Sequence, residues 1–69
     1  METHVFKVAG VSCEHCRRAI TESVGRVAGV RSVDVDLTGK TVTVAFDPGR
    51  TTVDSVREAI EEAGYDVTS

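Results

Sequence analysis

Both cysteines of the chain, Cys13 and Cys16, lie three residues apart in the stretch Gly10-Val11-Ser12-Cys13-Glu14-His15-Cys16. A cysteine serves as ligand or nucleophile only as its thiolate, a form that the N-terminus of a helix favours. Two thiolates at this spacing have three uses. They converge on one soft ion, they close into a disulfide, or they stay reduced and idle. The elements that hold the pair, and the residues around it, bear on which.

The pair stands between an alternating segment and a helical one. From about Thr3 to Ala9, Phe6 and Val8 share one face and Val5, Lys7 and Ala9 the other, which is the period of a half-buried strand. His4, within this strand, is expected to be exposed. Gly10 breaks the run and permits a turn. From Glu14 onward, Cys16, Ala19, Ile20, Ser23, Val24 and Val27 recur on one helical face. Ser12 or Cys13 is expected at the N-cap, with Glu14 as a favourable negative charge in the first turn. Gly25 reads as an interior position and Gly29 as the stop.

Val33, Val35 and Leu37 then alternate with Asp34 and Asp36, and Val42, Val44 and Phe46 answer across a Thr38-Gly39 hairpin signal. Asp47-Pro48-Gly49 makes a turn, and Thr51 or Thr52 caps a second helix. Val53, Val56, Ala59, Ile60 and Ala63 line one side of that helix, and Gly64 closes it. Residues 65–68 suffice for a short last strand. The order strand, helix, strand, strand, helix, strand predicts an α+β, ferredoxin-like βαββαβ fold. That fold is a four-stranded antiparallel sheet with two helices on one face, in a single domain over residues 1–69.

Composition narrows the function. The chain has 69 residues, 41% hydrophobic and 28% charged, and a formal charge of −3. An acidic balance with only Phe6, Phe46 and Tyr65 as aromatics argues against nucleic acid, whose binders carry basic surfaces and stacking rings. The face such a module would use carries Val5, Lys7, Asp34, Asp36, Thr41 and Thr43 instead. Two cysteines do not make a disulfide framework. The N-terminal residues lack the pattern of a signal peptide, and no stretch approaches the roughly 20 apolar residues of a membrane span. The expectation is a cytoplasmic protein with reduced thiols and no direct membrane insertion.

The motif Gly10-Val11-Ser12-Cys13-Glu14-His15-Cys16, following the first strand of a βαββαβ chain, resembles that of the heavy-metal-associated domain. This family includes cytoplasmic copper chaperones and the N-terminal domains of copper-transporting P-type ATPases. The similarity spans essentially the whole chain and extends to Ala63-Gly64-Tyr65. It implies Cu(I) as cargo, Cys13 and Cys16 as its ligands, and Gly10, Val11 and Ser12 as supports of the loop. Val11 stands where the family usually has methionine, a residue that supports the loop from the core and is not normally a ligand. The resemblance also suggests that Tyr65 lies beside the metal loop, where it shields the site or tunes exchange; the alternative is an aromatic at the edge of the core. His15, between the cysteines, is either an exposed side chain or an auxiliary ligand that bridges copper between two molecules.

The chemistry of the donors agrees. Soft thiolates favour Cu(I) over hard ions, whereas a structural zinc site requires four ligands and the chain offers one pair of cysteines. Two-coordinate sulfur leaves an open flank through which a partner's thiolate can enter, and copper then moves by ligand exchange. The resulting expectation is a non-enzymatic copper chaperone delivering to a P-type copper ATPase or a copper-responsive regulator. It would be monomeric as the apoprotein and able to form a copper-bridged dimer. Arg17 and Arg18, just beyond Cys16, are placed to meet an acidic partner and to favour thiolates. The alternatives are a metal-binding domain excised from an ATPase, a carrier of Hg, Zn or Cd, and a thiol-disulfide redox module. The start at Met1 and the absence of a trailing linker favour a standalone protein over an excised domain. The last alternative lacks a Trp-Cys-Gly-Pro-Cys environment.

Overall fold

Alternation decides the strands, and the helices close over the face it makes apolar. In the computed structural model, which describes residues 1–11 and 13–68, the order is β1 (Glu2–Ala9), α1 (Glu14–Gly25), β2 (Val30–Asp36), β3 (Thr41–Phe46), α2 (Val53–Glu62) and β4 (Asp66–Val67). The strands form one antiparallel sheet in the order β2-β3-β1-β4. Phe6 and Val8, Val35, and Val42, Val44 and Phe46 point to one face, where they join Ile20 and Val24 of α1 and Val56, Ala59 and Ile60 of α2 in a single core. Each fully buried valine, leucine, isoleucine or phenylalanine contributes about 1.5–3 kcal/mol by leaving water. The expected ferredoxin-like architecture is therefore the one observed.

Side chains cap and link these elements. The Thr52 hydroxyl accepts from the Ser55 amide at 3.1 Å and starts α2, while Thr51 is buried. The Asp36 carboxylate accepts from the amides of Thr38 and Gly39 at 3.0 and 3.1 Å, shaping the turn between β2 and β3. That turn takes in residues 37–40, more than the Thr38-Gly39 pair, so Leu37 lies just past β2 and still packs on the core. The Ser23 hydroxyl donates to the Ala59 carbonyl at 2.8 Å and ties α1 to α2.

Two expectations are corrected. Helix α1 ends at Gly25 rather than running to Gly29. The amides of Val27 and Val30 bond back to the carbonyls of Val24 and Val27 at 3.0 and 3.1 Å, so the chain leaves the helix in two tight turns. Gly29, at φ +95°, turns the chain into β2, and a Cβ there would lie 2.8 Å from Arg50 Cβ. His4 is half-buried rather than exposed, because the strand period puts it on the Phe6 face. Its ring lies 4.5 Å from that of Phe6, tilted by 59°. No helix among the described residues is long and apolar enough to cross a membrane.

Candidate metal centre

The centre forms where β1 ends. Gly10 leaves the strand at φ +90°, and Val11 next to it inserts fully into the core. No heavy atom lies within 4 Å of a Cβ built on Gly10, so its backbone angle, not crowding, favours glycine there. Ser12, expected as a loop support and as one of two N-cap candidates, lies outside the described residues. Cys13 is the N-cap of α1, with extended backbone (φ −150°, ψ 167°), and its carbonyl accepts the Arg17 amide at 3.1 Å. The Cys13 side chain makes no capping bond, which leaves its sulfur available for other chemistry.

Cys16, one turn into the helix, brings its sulfur back to Cys13. The two Sγ atoms are 3.3 Å apart, well outside the roughly 2.05 Å of a disulfide, so both residues are thiols. Their surroundings differ. Cys13 is exposed, whereas Cys16 is half-buried against the core, with its sulfur 3.9 Å from the Gly10 carbonyl.

The last strand supplies a further neighbour. Val67 pairs with Val8 and Asp66 with Ala9, so the next step in register sets Tyr65 beside Gly10. Thr68 fixes the end of this strand, its amide reaching the Lys7 carbonyl at 2.7 Å. The Tyr65 phenol hydrogen-bonds to the Cys16 side chain and ionises above its ordinary value of 10.0. That bond is the largest cause; desolvation and the negative charges of Cys16 and Cys13 add to it.

The remaining candidates are placed less directly. His15 is exposed, and among the described residues no group of three or more His, Cys, Asp and Glu side chains gathers to hold a metal. Arg17 pairs with Glu14, one turn back along α1, so its charge is engaged locally. The sequence reading missed that pair, although its i, i+3 spacing on a helix was a usable signal. Arg18 is exposed, and with Arg17 it borders a shallow groove between α1 and the Val33–Val35 stretch of β2.

The chain matches the heavy-metal-associated domain over residues 5–66. It is 43% identical over 67 residues to the copper chaperone CopZ of Staphylococcus haemolyticus, covering 97% of this chain and 98% of that one. Its structure superposes on that of a CopZ metallochaperone with a TM-score of 0.95 at 36% identity, covering 97% and 100% of the two chains. It superposes also on the N-terminal domain of a potential copper-translocating P-type ATPase from Bacillus subtilis in its Cu(I)-loaded state. There the TM-score is 0.89 at 29% identity, over 96% of this chain and 82% of that one. With the family pattern and a relative of this identity both spanning nearly its full length, the chain belongs to the heavy-metal-associated domain family.

Proposed function

We propose that this domain is a copper chaperone that carries one Cu(I) on the thiolates of Cys13 and Cys16 and passes it on by ligand exchange. The observation that carries the reading is the pairing of two thiols 3.3 Å apart, one exposed and one backed by the core. Metal–sulfur bonds of about 2.3 Å would let both sulfurs reach one ion only at a bend of about 90°. Opening toward a linear arrangement takes about 1.3 Å on the same bond length. Exposed Cys13 is the side chain with room to swing, and Cys16 is the anchor.

Exchange then proceeds without release of free ion. An acceptor thiolate binds from the open side to give a three-sulfur intermediate, Cys13 leaves, and a second acceptor thiolate displaces Cys16. Tyr65 holds the anchor sulfur, while Gly10 and Val11 set the loop on the core. Ser12 is assigned to the same loop on its place in the motif alone. His15 is exposed beside the pair, where it can assist an incoming ion or a second molecule.

The acceptor is a domain of a P-type copper ATPase or a copper-responsive regulator, and the cell compartment is the cytoplasm. The names of the relatives support copper as cargo, and the Cu(I)-loaded state of the ATPase domain supports the oxidation state and the kind of partner. Docking of an acidic acceptor is assigned to Arg17 and Arg18, which follow Cys16 in sequence and are exposed on α1, Arg17 being paired with Glu14 as well. The protein is a carrier in this account, with no reaction of its own.

The test is anaerobic titration of the reduced protein with Cu(I) against a competing chelator, with Zn(II) in parallel and stoichiometry read by native mass spectrometry. One tightly held Cu(I) per chain and much weaker zinc are expected. Cys13→Ser and Cys16→Ser should each abolish tight binding with circular dichroism unchanged; retained affinity in both would overturn the two-thiolate site.

A further inference from the structure

We infer that Thr68 is a positioning residue of the metal centre: by clamping the end of the last strand to Lys7 it keeps Tyr65 on Cys16, and so slows the step in which the anchor sulfur lets its ion go. The slowing of that step rests on the copper-carrier reading, whereas the clamp and its hold on Tyr65 belong to the apoprotein.

The clamp is double. The Thr68 amide donates to the Lys7 carbonyl at 2.7 Å, and its hydroxyl donates to the same oxygen at 3.1 Å. A carbonyl oxygen can accept two bonds, and here one residue supplies both. The ladder it ends is short. β4 pairs with β1 through two residues, Val67 with Val8 and Asp66 with Ala9, at the outer edge of the sheet. A ladder of that length at an edge frays unless its end is tied down. On the other side Gly64, at φ +98°, turns the chain out of α2, its amide on the Glu61 carbonyl at 2.9 Å. Tyr65 is therefore carried on a short span between the end of a helix and the clamp.

Register on this span matters at the thiols. With Asp66 opposite Ala9, the next step sets Tyr65 beside Gly10, where its phenol reaches the Cys16 side chain. A slip of one residue would turn Tyr65 to the other face of the strand. Thr68 is exposed and lies about 10 Å along the chain from Tyr65, three residues at about 3.4 Å each. It acts on the centre through Tyr65. When β4 opens, the phenol leaves the anchor sulfur, and an acceptor thiolate meets Cys16 without it.

The experiment compares two substitutions. Thr68→Val deletes the hydroxyl and keeps the amide and the branched shape; Thr68→Ser keeps the hydroxyl. In stopped-flow transfer to a competing chelator, Thr68→Val should lose Cu(I) about two- to tenfold faster than the wild type, the range for one hydrogen bond. Thr68→Ser should keep the wild-type rate. Added to Tyr65→Phe, Thr68→Val should bring no further acceleration, because the phenol through which it acts is gone. Nuclear magnetic resonance of the reduced apoprotein should find the Thr68 amide protected from exchange in the wild type. Proton contacts between the Tyr65 ring and Cys16 should weaken in Thr68→Val. An unprotected Thr68 amide would overturn the inference whatever the variants do. So would an unchanged rate in Thr68→Val, an equal acceleration in Thr68→Ser, or the same acceleration on top of Tyr65→Phe, which a merely structural role would give. A reduced chain that binds no Cu(I) would instead overturn the carrier reading. The clamp is then decided on the apoprotein, upheld if Thr68→Val weakens the Tyr65–Cys16 contacts and overturned if they stay.

Discussion

The Tyr65 phenol donates to the sulfur of Cys16, so the residue just before the last strand holds a thiol at the start of the first helix. The link depends on a strand of two residues, since pairing of Asp66 with Ala9 brings Tyr65 to the loop that follows β1. A hydrogen bond to one sulfur and not to the other makes the pair unequal before any ion arrives.

Tyr65→Phe removes that bond and leaves the ring. A single hydrogen bond of this kind is felt as about two- to tenfold in an equilibrium constant. The variant should fold normally and lose Cu(I) to a competing chelator faster than the wild type by a factor in that range. Stopped-flow transfer measures it; an unchanged rate would mean the phenol has no part in holding the anchor sulfur.

The same bond makes a pH prediction for the apoprotein. The folded Tyr65 ionises above the ordinary value of 10.0, because the Cys16 side chain bonds its neutral form. A raised folded value means that the stabilisation is fully present below the unfolded value and is lost as pH rises through the folded one. Ultraviolet difference titration should therefore find the phenol ionising late, and Cys16→Ser should move it back toward 10.0. Around neutral pH, well below both values, this group should add no pH dependence to stability.

Two glycines with nearly the same backbone angle should respond differently to alanine. Gly10 (φ +90°) has open space where a Cβ would stand, so Gly10→Ala meets only the left-handed backbone penalty of about 1–2 kcal/mol. Gly29 (φ +95°) bears the same penalty and in addition a Cβ 2.8 Å from Arg50 Cβ, which cannot swing away as the end of a long side chain could. Denaturant unfolding should rank Gly29→Ala below Gly10→Ala in stability. Only Gly10→Ala, next to the thiol loop, should also alter Cu(I) affinity.

These contrasts show where the sequence was legible. Phe6 with Val8, and Val42 with Val44 and Phe46, announced their common face because a strand has only two, and the cysteine spacing at a helix start announced that the two thiols stand together. Gly25 and Gly29 were misread because a glycine marks punctuation without saying whether it ends a helix or turns the chain into a strand. His4 was misread because its polarity was weighed above the period that places it with Phe6. Tyr65 could be brought near the loop by resemblance, but a two-residue strand carries too little pattern to fix the register that makes its contact with Cys16.

Val11 offers the sharpest test of how the loop is held. It is fully buried directly after the turn at Gly10, whereas Val5, on the open face of β1, is 52% exposed. Val11→Ala removes two buried methyl groups, worth about 0.8 kcal/mol each, plus a term for the cavity left behind. The total is about 2–3 kcal/mol on that basis, while Val5→Ala should cost well under 1 kcal/mol, as surface changes do. Val11→Met tests the reverse, since the core has closed around the shorter residue. Extra methylenes in a packed site cost about 1–3 kcal/mol. If the loop is anchored by this side chain, both Val11 variants should lower the unfolding midpoint and speed loss of Cu(I), and Val5→Ala should do neither. A Val11→Met chain more stable than the wild type would show instead that valine leaves room beneath the thiols.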